Sequence, residues 1–459
     1  MVFGYTPLDP LIVLIGTAYA GFLLVRDPVR LMAFLPAALC LYFIIPTVTL
    51  LTLWQTVPLL LMFWLIAQGK LVLPKSARPF VALLMFLFLV SCVYAIVLGR
   101  DPTRAVIRSI YYASTFALFL YAYDIGRRPE AYRLFVVGFA VTAAILSLYG
   151  LYQFFASATG LPYRGILRGA YGADSAFENG ILRINSLANE PKRLGYVLFV
   201  GALAFFERAT WLHGKARRNS VLWGVGVLFV SLFTFSGSYF LALALFGVGA
   251  FVLYPVRLRK AWIPLLVFSL AFVAFGQNTG LYKALETGIE RRQQEVELGT
   301  DGYVVYRQEF FAQDYLERHP GTAFTGVGVG QYYNVLHSKY GDGVGLAGGR
   351  LLPINAMALE LTFDVGGIAA ATLFSGLVLL IFRLRRRGFV FLTLALLFLT
   401  VQSLTIQTLL YIAVVTGIGL AQLRTRVSEE NESNSQSPLG EYGPEPGQTA
   451  LPANGRSAS

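Results

Sequence analysis

Long apolar runs separated by short polar breaks make up most of this chain. They occupy roughly residues 8–25, 29–49, 51–68, 79–98, 105–125, 133–157, 191–207, 220–236, 238–255, 261–277, 356–382 and 388–423. A hydrocarbon layer about 30 Å thick needs roughly 20 apolar residues per helix, so each run predicts a helical crossing. The last run, about 35 residues long, has room for a hairpin turning near Gln402-Ser403, which gives about 12 or 13 crossings. No ten-residue alternating pattern is present, which excludes an outer-membrane barrel. Two longer polar intervals interrupt the runs, at about 158–190 and 278–355. The second ends in Tyr306–Asn355, which gathers arginines, carboxylates, glycines and histidines that the flanking runs exclude, and chemistry is expected there. From about 427 to 459 the chain is rich in Ser, Glu, Asn, Pro and Gly and cannot bury a core. That stretch is expected to be a disordered cytoplasmic tail.

Composition agrees with the pattern. The chain has 459 residues, 56% hydrophobic and only 14% charged, with a mean hydropathy of +0.62. It is therefore read as an all-α polytopic membrane protein with one transmembrane domain over residues 1–426. The net charge of +12 does not point to nucleic acid, because the basic residues stand in short clusters between apolar runs, as orientation signals do. Lys70, Lys75 and Arg78, then Arg127, Arg128 and Arg133, then Lys215, Arg217 and Arg218, then Arg257, Arg259 and Lys260, and finally Arg383, Arg385, Arg386 and Arg387 all fall on one side when the crossings are counted through. That side is expected to be the cytoplasm. The two polar intervals then face outward, as does the turn Ser236-Gly237-Ser238. Arg100-Asp101-Pro102-Thr103-Arg104 also falls outside, a mild conflict. Met1-Val2-Phe3-Gly4-Tyr5 lacks a basic leader, so the first helix is expected to act as its own insertion signal. Cys40 and Cys92 lie inside apolar runs and read as small buried hydrophobes.

External arginines carry weight, because orientation bias removes them unless something needs them. The first interval holds Arg164, Arg168, Arg183 and Arg193. Arg183-Ile184-Asn185-Ser186-Leu187-Ala188-Asn189-Glu190-Pro191-Lys192-Arg193 leads into the next crossing, with Pro191 suited to the first helical position and Asn189 or Glu190 to the cap. Lys192 and Arg193 are unfavourable in a first helical turn. A bound anion reverses that sign; snorkelling to headgroups is the alternative.

In the second interval, Leu281–Leu298 reads as a solvated surface helix. Residues 304–318 predict another, with Arg307, Phe311, Asp314 and Arg318 on one face and Glu309 off it. That face is either an ion-paired seam or an anion clamp. His319-Pro320-Gly321 ends the helix, and Gly326, Gly328 and Gly330 predict a turn needing positive φ rather than a nucleotide loop. His337 has the pKa range of a general base, against a structural role in a loop. With three histidines, no HExxH and no clustered Asp pair, the chain shows no metal set and no cofactor motif. Glu360 and Asp364, one turn apart in an apolar run, are expected to face the bundle interior, as a functional lining or a polar helix contact.

Taken together, Tyr306-Arg307-Gln308-Glu309-Phe310-Phe311, then His319-Pro320, then Gly326-Val327-Gly328-Val329-Gly330-Gln331-Tyr332-Tyr333, then Ile354-Asn355 running into Glu360, Asp364 and Gly366-Gly367, resemble the signature region of the O-antigen ligase/polymerase superfamily of bacterial membrane glycosyltransferases. Residues 183–196 and 233–245 resemble the segments that precede it. Two positions depart. Ile354 stands where members have the histidine of an HN pair, and Ser236-Gly237-Ser238 lacks the arginine often found after the serine. The resemblance implies transfer of a glycan from an undecaprenyl-diphosphate donor to a sugar hydroxyl on a glycan acceptor, at the outer face of the bacterial inner membrane, with the lipid bilayer as medium and a flippase and chain-length regulator as companions. Arg307, Arg183 and Arg193 are then the diphosphate-binding candidates, and Glu190, Glu309 and His337 the candidate bases. The missing histidine favours a polysaccharide polymerase over a lipid A-core ligase. A secondary transporter or flippase coupled through Glu360 and Asp364 is the rival reading.

Overall fold

The computed structural model describes residues 8–45, 51–69, 77–164, 177–178, 181–188, 190–255, 308–340, 346–347, 350–351, 354, 356–402 and 406–436. Its helices are α1 (Leu8–Arg26), α2 (Leu31–Cys40), α3 (Leu53–Gln68), α4 (Arg78–Leu98), α5 (Pro102–Ile125), α6 (Pro129–Thr159), α7 (Pro191–Thr210), α8 (Gly214–Leu232), α9 (Gly237–Leu253), α10 (Gln308–Arg318), α11 (Pro320–Thr325), α12 (Tyr332–Tyr340), α13 (Met357–Val365), α14 (Gly367–Arg386), α15 (Val390–Gln402) and α16 (Ile406–Gln436). The strands are two residues long and form small antiparallel hairpins, Ile44–Ile45 with Leu51–Thr52, Phe177–Glu178 with Ile181–Leu182, and Leu346–Ala347 with Arg350–Leu351. The protein is thus an all-α polytopic membrane protein.

Local chemistry sets where helices start and stop. Proline stands in the first turn of α4, α5, α6 and α7, where its missing N–H is not needed and its φ is already helical. Asp101 caps α5 by accepting from the Arg104 amide at 3.0 Å. The run at 29–49 is helical only to Cys40. Leu41 is extended, and the Tyr42 amide donates to the Leu187 carbonyl at 2.9 Å, which draws this stretch out of the helix and across to the segment before α7. The run at 356–382 is not one helix either: Gly366, at φ 98°, separates α13 from α14. The hairpin expected in the last run is present as α15 and α16, and α16 stays helical to Gln436, ten residues past the expected start of the tail. The apolar run at 261–277, the surface helix at 281–298 and residues 437–459 lie outside the described residues.

Among the described residues, six segments are long and apolar enough to cross a membrane: α1, α4, α5, α6, α14 and residues 408–428 of α16, with shorter apolar helices at Pro28–Cys40, Leu53–Gln68, Ser238–Leu253 and Val390–Gln402. Contacts sort the helix ends into two groups. In one, Tyr121 donates to the Pro28 carbonyl, Gln422 to the Gly126 carbonyl at 2.8 Å, Arg424 to the Tyr123 hydroxyl at 3.2 Å and Arg426 to the Arg387 carbonyl. This basic end collects the described members of the arginine and lysine clusters. At the opposite, polar end, Arg164 pairs with Asp9 at 2.7 Å and reaches the Tyr42 carbonyl at 3.1 Å. The core between them is aromatic where α7, α9 and α15 meet, with Phe199 and Phe398 ring centres 4.2 Å apart.

Candidate functional site

The polar end is organised by a buried glutamine. Gln153 on α6 is 1% exposed; its Oε1 accepts from the Ser186 amide at 2.7 Å and the Asn185 amide at 3.3 Å, and its Nε2 donates to the Arg164 carbonyl at 2.5 Å. Ser186, held at φ 51°, sends its hydroxyl to the Leu146 carbonyl at 2.8 Å. Residues 183–188 are thereby fixed against the bundle and deliver the chain to α7. Glu190 is the cap and Pro191 the first helical residue, as expected, but the Glu190 side chain makes no capping bond. It turns instead to Lys192, at 3.1 Å.

Beside this helix start lies a cavity of about 50 Å³, bounded at its polar side by Tyr42, Trp54, Lys192, Arg193, Gln402 and Tyr411 and at its floor by apolar side chains such as Leu39 and Val200. That is several times the room one water needs, and suits a phosphate-sized group rather than a sugar chain. Among the described residues, Trp54 Nε1 and Gln402 Oε1 are buried without a hydrogen-bond partner, and Gln402 is only 5% exposed. Gln402 Nε2 donates to Thr408 Oγ1 at 3.2 Å. Amide oxygen and nitrogen are exchangeable assignments; reversed, the oxygen accepts from the Thr408 hydroxyl and the NH₂ faces the cavity. Its polar wall then presents donors, namely indole N–H, amide N–H, ammonium and guanidinium, beside the positive end of a helix. Such a lining is suited to an anion.

A second charged group sits nearby. Arg108 on α5 pairs with Glu360 and with Asp364 at 3.3 Å; the carboxylates are 1% and 0% exposed. Asp364 also accepts from the Tyr112 hydroxyl at 2.7 Å and from the Gly330 amide at 3.0 Å, while its carbonyl accepts from Ser91 at 2.6 Å. Glu360 and Asp364 are therefore interior, as expected, and act as a polar helix contact. Arg108 was not among the residues expected to matter, and the signal for it was arithmetic: two carboxylates inside an apolar run require a cation inside another. Tyr111 links the two groups, packing edge-on against Trp54 at 5.6 Å and lying 5.9 Å from the Arg108 guanidinium.

The outer layer, α10 to α12, packs through Ala312, Leu336, Ile354 and Phe363. Gly326, Gly328 and Gly330 have φ of 77°, 99° and 74°, as the turn reading required. Gln331 brackets Asp101, accepting from its amide at 3.2 Å and donating to its carbonyl at 3.0 Å. Together with the Gly330–Asp364 bond this ties the layer to the bundle. Tyr332 is half-buried beside it, and desolvation raises its phenol pKa against the lowering pull of Arg108.

The expected site residues fall on two bodies. Arg193 lines the cavity and Glu190 stands beside it through Lys192; Arg183 is half-buried on the fixed lead-in to α7. Glu309 is in the first turn of α10. His337 is not in a loop, as expected, but in the last turn of α12, its ring 5.4 Å from Tyr333. Residues 332–340 form a helix because the glycines that flank it lie outside the repeat rather than within it. Arg307 lies outside the described residues; the remainder of its expected face, Asp314 and Arg318, forms an ion pair at 2.8 Å. Scanned against protein-family models and curated proteins, the chain matches none.

Proposed function

We propose that this protein is a membrane glycan polymerase that transfers an undecaprenyl-diphosphate-linked oligosaccharide to a sugar hydroxyl at the outer face of the bacterial inner membrane, in O-antigen, exopolysaccharide or capsule synthesis. The observation that carries this reading is the donor-lined cavity at the start of α7, at the end of the bundle opposite the arginine clusters. By the charge rule the basic end is cytoplasmic, which turns the cavity outward, where the resemblance puts the reaction. In the proposed step the acceptor oxygen bonds the anomeric carbon as that carbon's bond to the diphosphate oxygen breaks. The lipid diphosphate leaves with the electron pair, and the hydroxyl proton passes to Glu190. Lys192, Arg193 and the α7 amides stabilise the charge developing on the diphosphate, with Arg183 and Arg307 as further cations on the resemblance alone.

Glu190 is favoured as the base because it adjoins the cavity and its carboxylate is not spent on capping. Polymerase is favoured over ligase by Ile354, which is fully buried in the outer-layer core and offers no replacement for the family histidine. At Asp364 the transport reading loses support, since both of its carboxylate oxygens are engaged. The test is direct. Purified protein in vesicles is given a polyprenyl-diphosphate oligosaccharide, and a ladder of longer lipid-linked glycans is expected. Unchanged donor, beside a control in which a known polymerase extends the same donor, would overturn the reading.

A further inference from the structure

Between α4, α5, α14 and α16 the bundle leaves a second cavity, apolar and about 270 Å³ in volume. It runs from Tyr112, whose hydroxyl serves the Arg108 knot, to Arg383 in the arginine cluster at the basic end. Leu379 on its wall is 59% exposed, so the cavity opens sideways onto the apolar outer surface of the bundle. A sealed apolar void in a soluble protein stays dry and empty. One that opens into hydrocarbon is filled by it, because a chain supplies the dispersion contacts the void lacks.

We propose that this cavity binds one acyl chain of an anionic phospholipid, with the lipid phosphate on Arg383. Charge decides which way the lipid enters. At the Tyr112 end Arg108 is already paired with both Glu360 and Asp364, and the net negative charge of that group repels a phosphate. At the other end Arg383 is followed by Arg385, Arg386 and Arg387, and basic pockets between transmembrane helices at that side of a membrane bind anionic headgroups. The occupant therefore comes from the leaflet at the basic end, and its site is independent of the transfer reaction proposed above.

The experiment uses the full chain in nanodiscs of phosphatidylcholine, alone or mixed with phosphatidylglycerol, followed by native mass spectrometry after release. One retained phosphatidylglycerol is expected on the unaltered protein and on Arg386→Gln, whose side chain does not line the cavity. Arg383→Gln should retain it about fivefold more weakly, the worth of one basic side chain at a headgroup, and Ala413→Phe should lose it by filling the cavity. Since Arg383 is exposed, its variant folds and keeps the test decisive even if Ala413→Phe does not. Equal retention of the two lipids, or equal weakening by Arg383→Gln and Arg386→Gln, would overturn the proposal.

Discussion

Two charged groups lie within a few side chains of one another at the polar end, and they are built for opposite purposes. Around Arg108 the charges are turned on each other: Glu360 and Asp364 share one guanidinium, and Asp364 takes bonds from Tyr112 and the Gly330 amide as well. At the start of α7 Glu190 pairs with Lys192, and beside them Trp54 and Gln402 leave buried polar atoms without hydrogen-bond partners among the described residues. Charge in a membrane protein is thus not itself a sign of chemistry. A cation engaged by two carboxylates holds the fold, and neutral donors that face a cavity are available to a ligand.

The sharpest way to break the contrast is Arg108→Ala, which strands two buried carboxylates and should destabilise the protein by about 3–5 kcal/mol. Unfolding in detergent would measure it, and combining Arg108→Met with Glu360→Gln and Asp364→Asn should recover most of the loss. Glu190→Gln, which removes one partner of the Lys192 pair, should instead cost less stability than Arg108→Ala and slow transfer by about 10²–10⁴, the range of a general base, while His337→Ala stays within about tenfold of normal. A dead His337→Ala beside an active Glu190→Gln would reverse the assignment. Arg193→Ala should lower turnover by about 10²–10³, as for removal of a charge-stabilising donor, and Arg193→Lys should restore only part because the bidentate fork is lost. Gly330→Ala forces a side chain into φ 74° with the Arg104 carbonyl 3.0 Å from the new Cβ, costing about 1–2 kcal/mol. Smallest of all, Gln402→Leu should raise apparent KM a few-fold with kcat unchanged, the signature of one uniform hydrogen bond of about 1 kcal/mol.

The six long apolar helices were legible because an apolar run of membrane length has few alternatives to a helix, and the hairpin at Gln402 followed from length alone. The breaks were harder. Gly366-Gly367 reads as ordinary small-residue packing until Val327 is seen donating to the Phe363 carbonyl at 2.7 Å, a long-range contact no local pattern encodes. The helix start at Pro191 and the positive φ of the Gly326–Gly330 turn were readable from residue type, while the cap stayed open between Asn189 and Glu190. That Trp54, Gln402 and Arg193 meet was not, since they come from α3, α15 and α7 and only packing brings them together. His337 was misplaced for a related reason: glycines on both sides suggested a loop, yet the apolar spacing of Tyr332 and Leu336 sufficed to fold a helix onto Ala312.

The interlocked glycine turns also bear on how the protein is made. A Cβ at Gly326 would stand 2.7 Å from the Gly366 amide, and one at Gly366 would run into the Phe324 carbonyl, so the two turns fit only against each other. During synthesis the ribosome delivers residues 326–331 before residues 357–366, and Asp101 long before either. The outer layer therefore meets its Asp101 anchor first and gains the Asp364 anchor only when the closing crossings have been inserted, so a chain stalled before Asp364 carries its outer layer on a single tether.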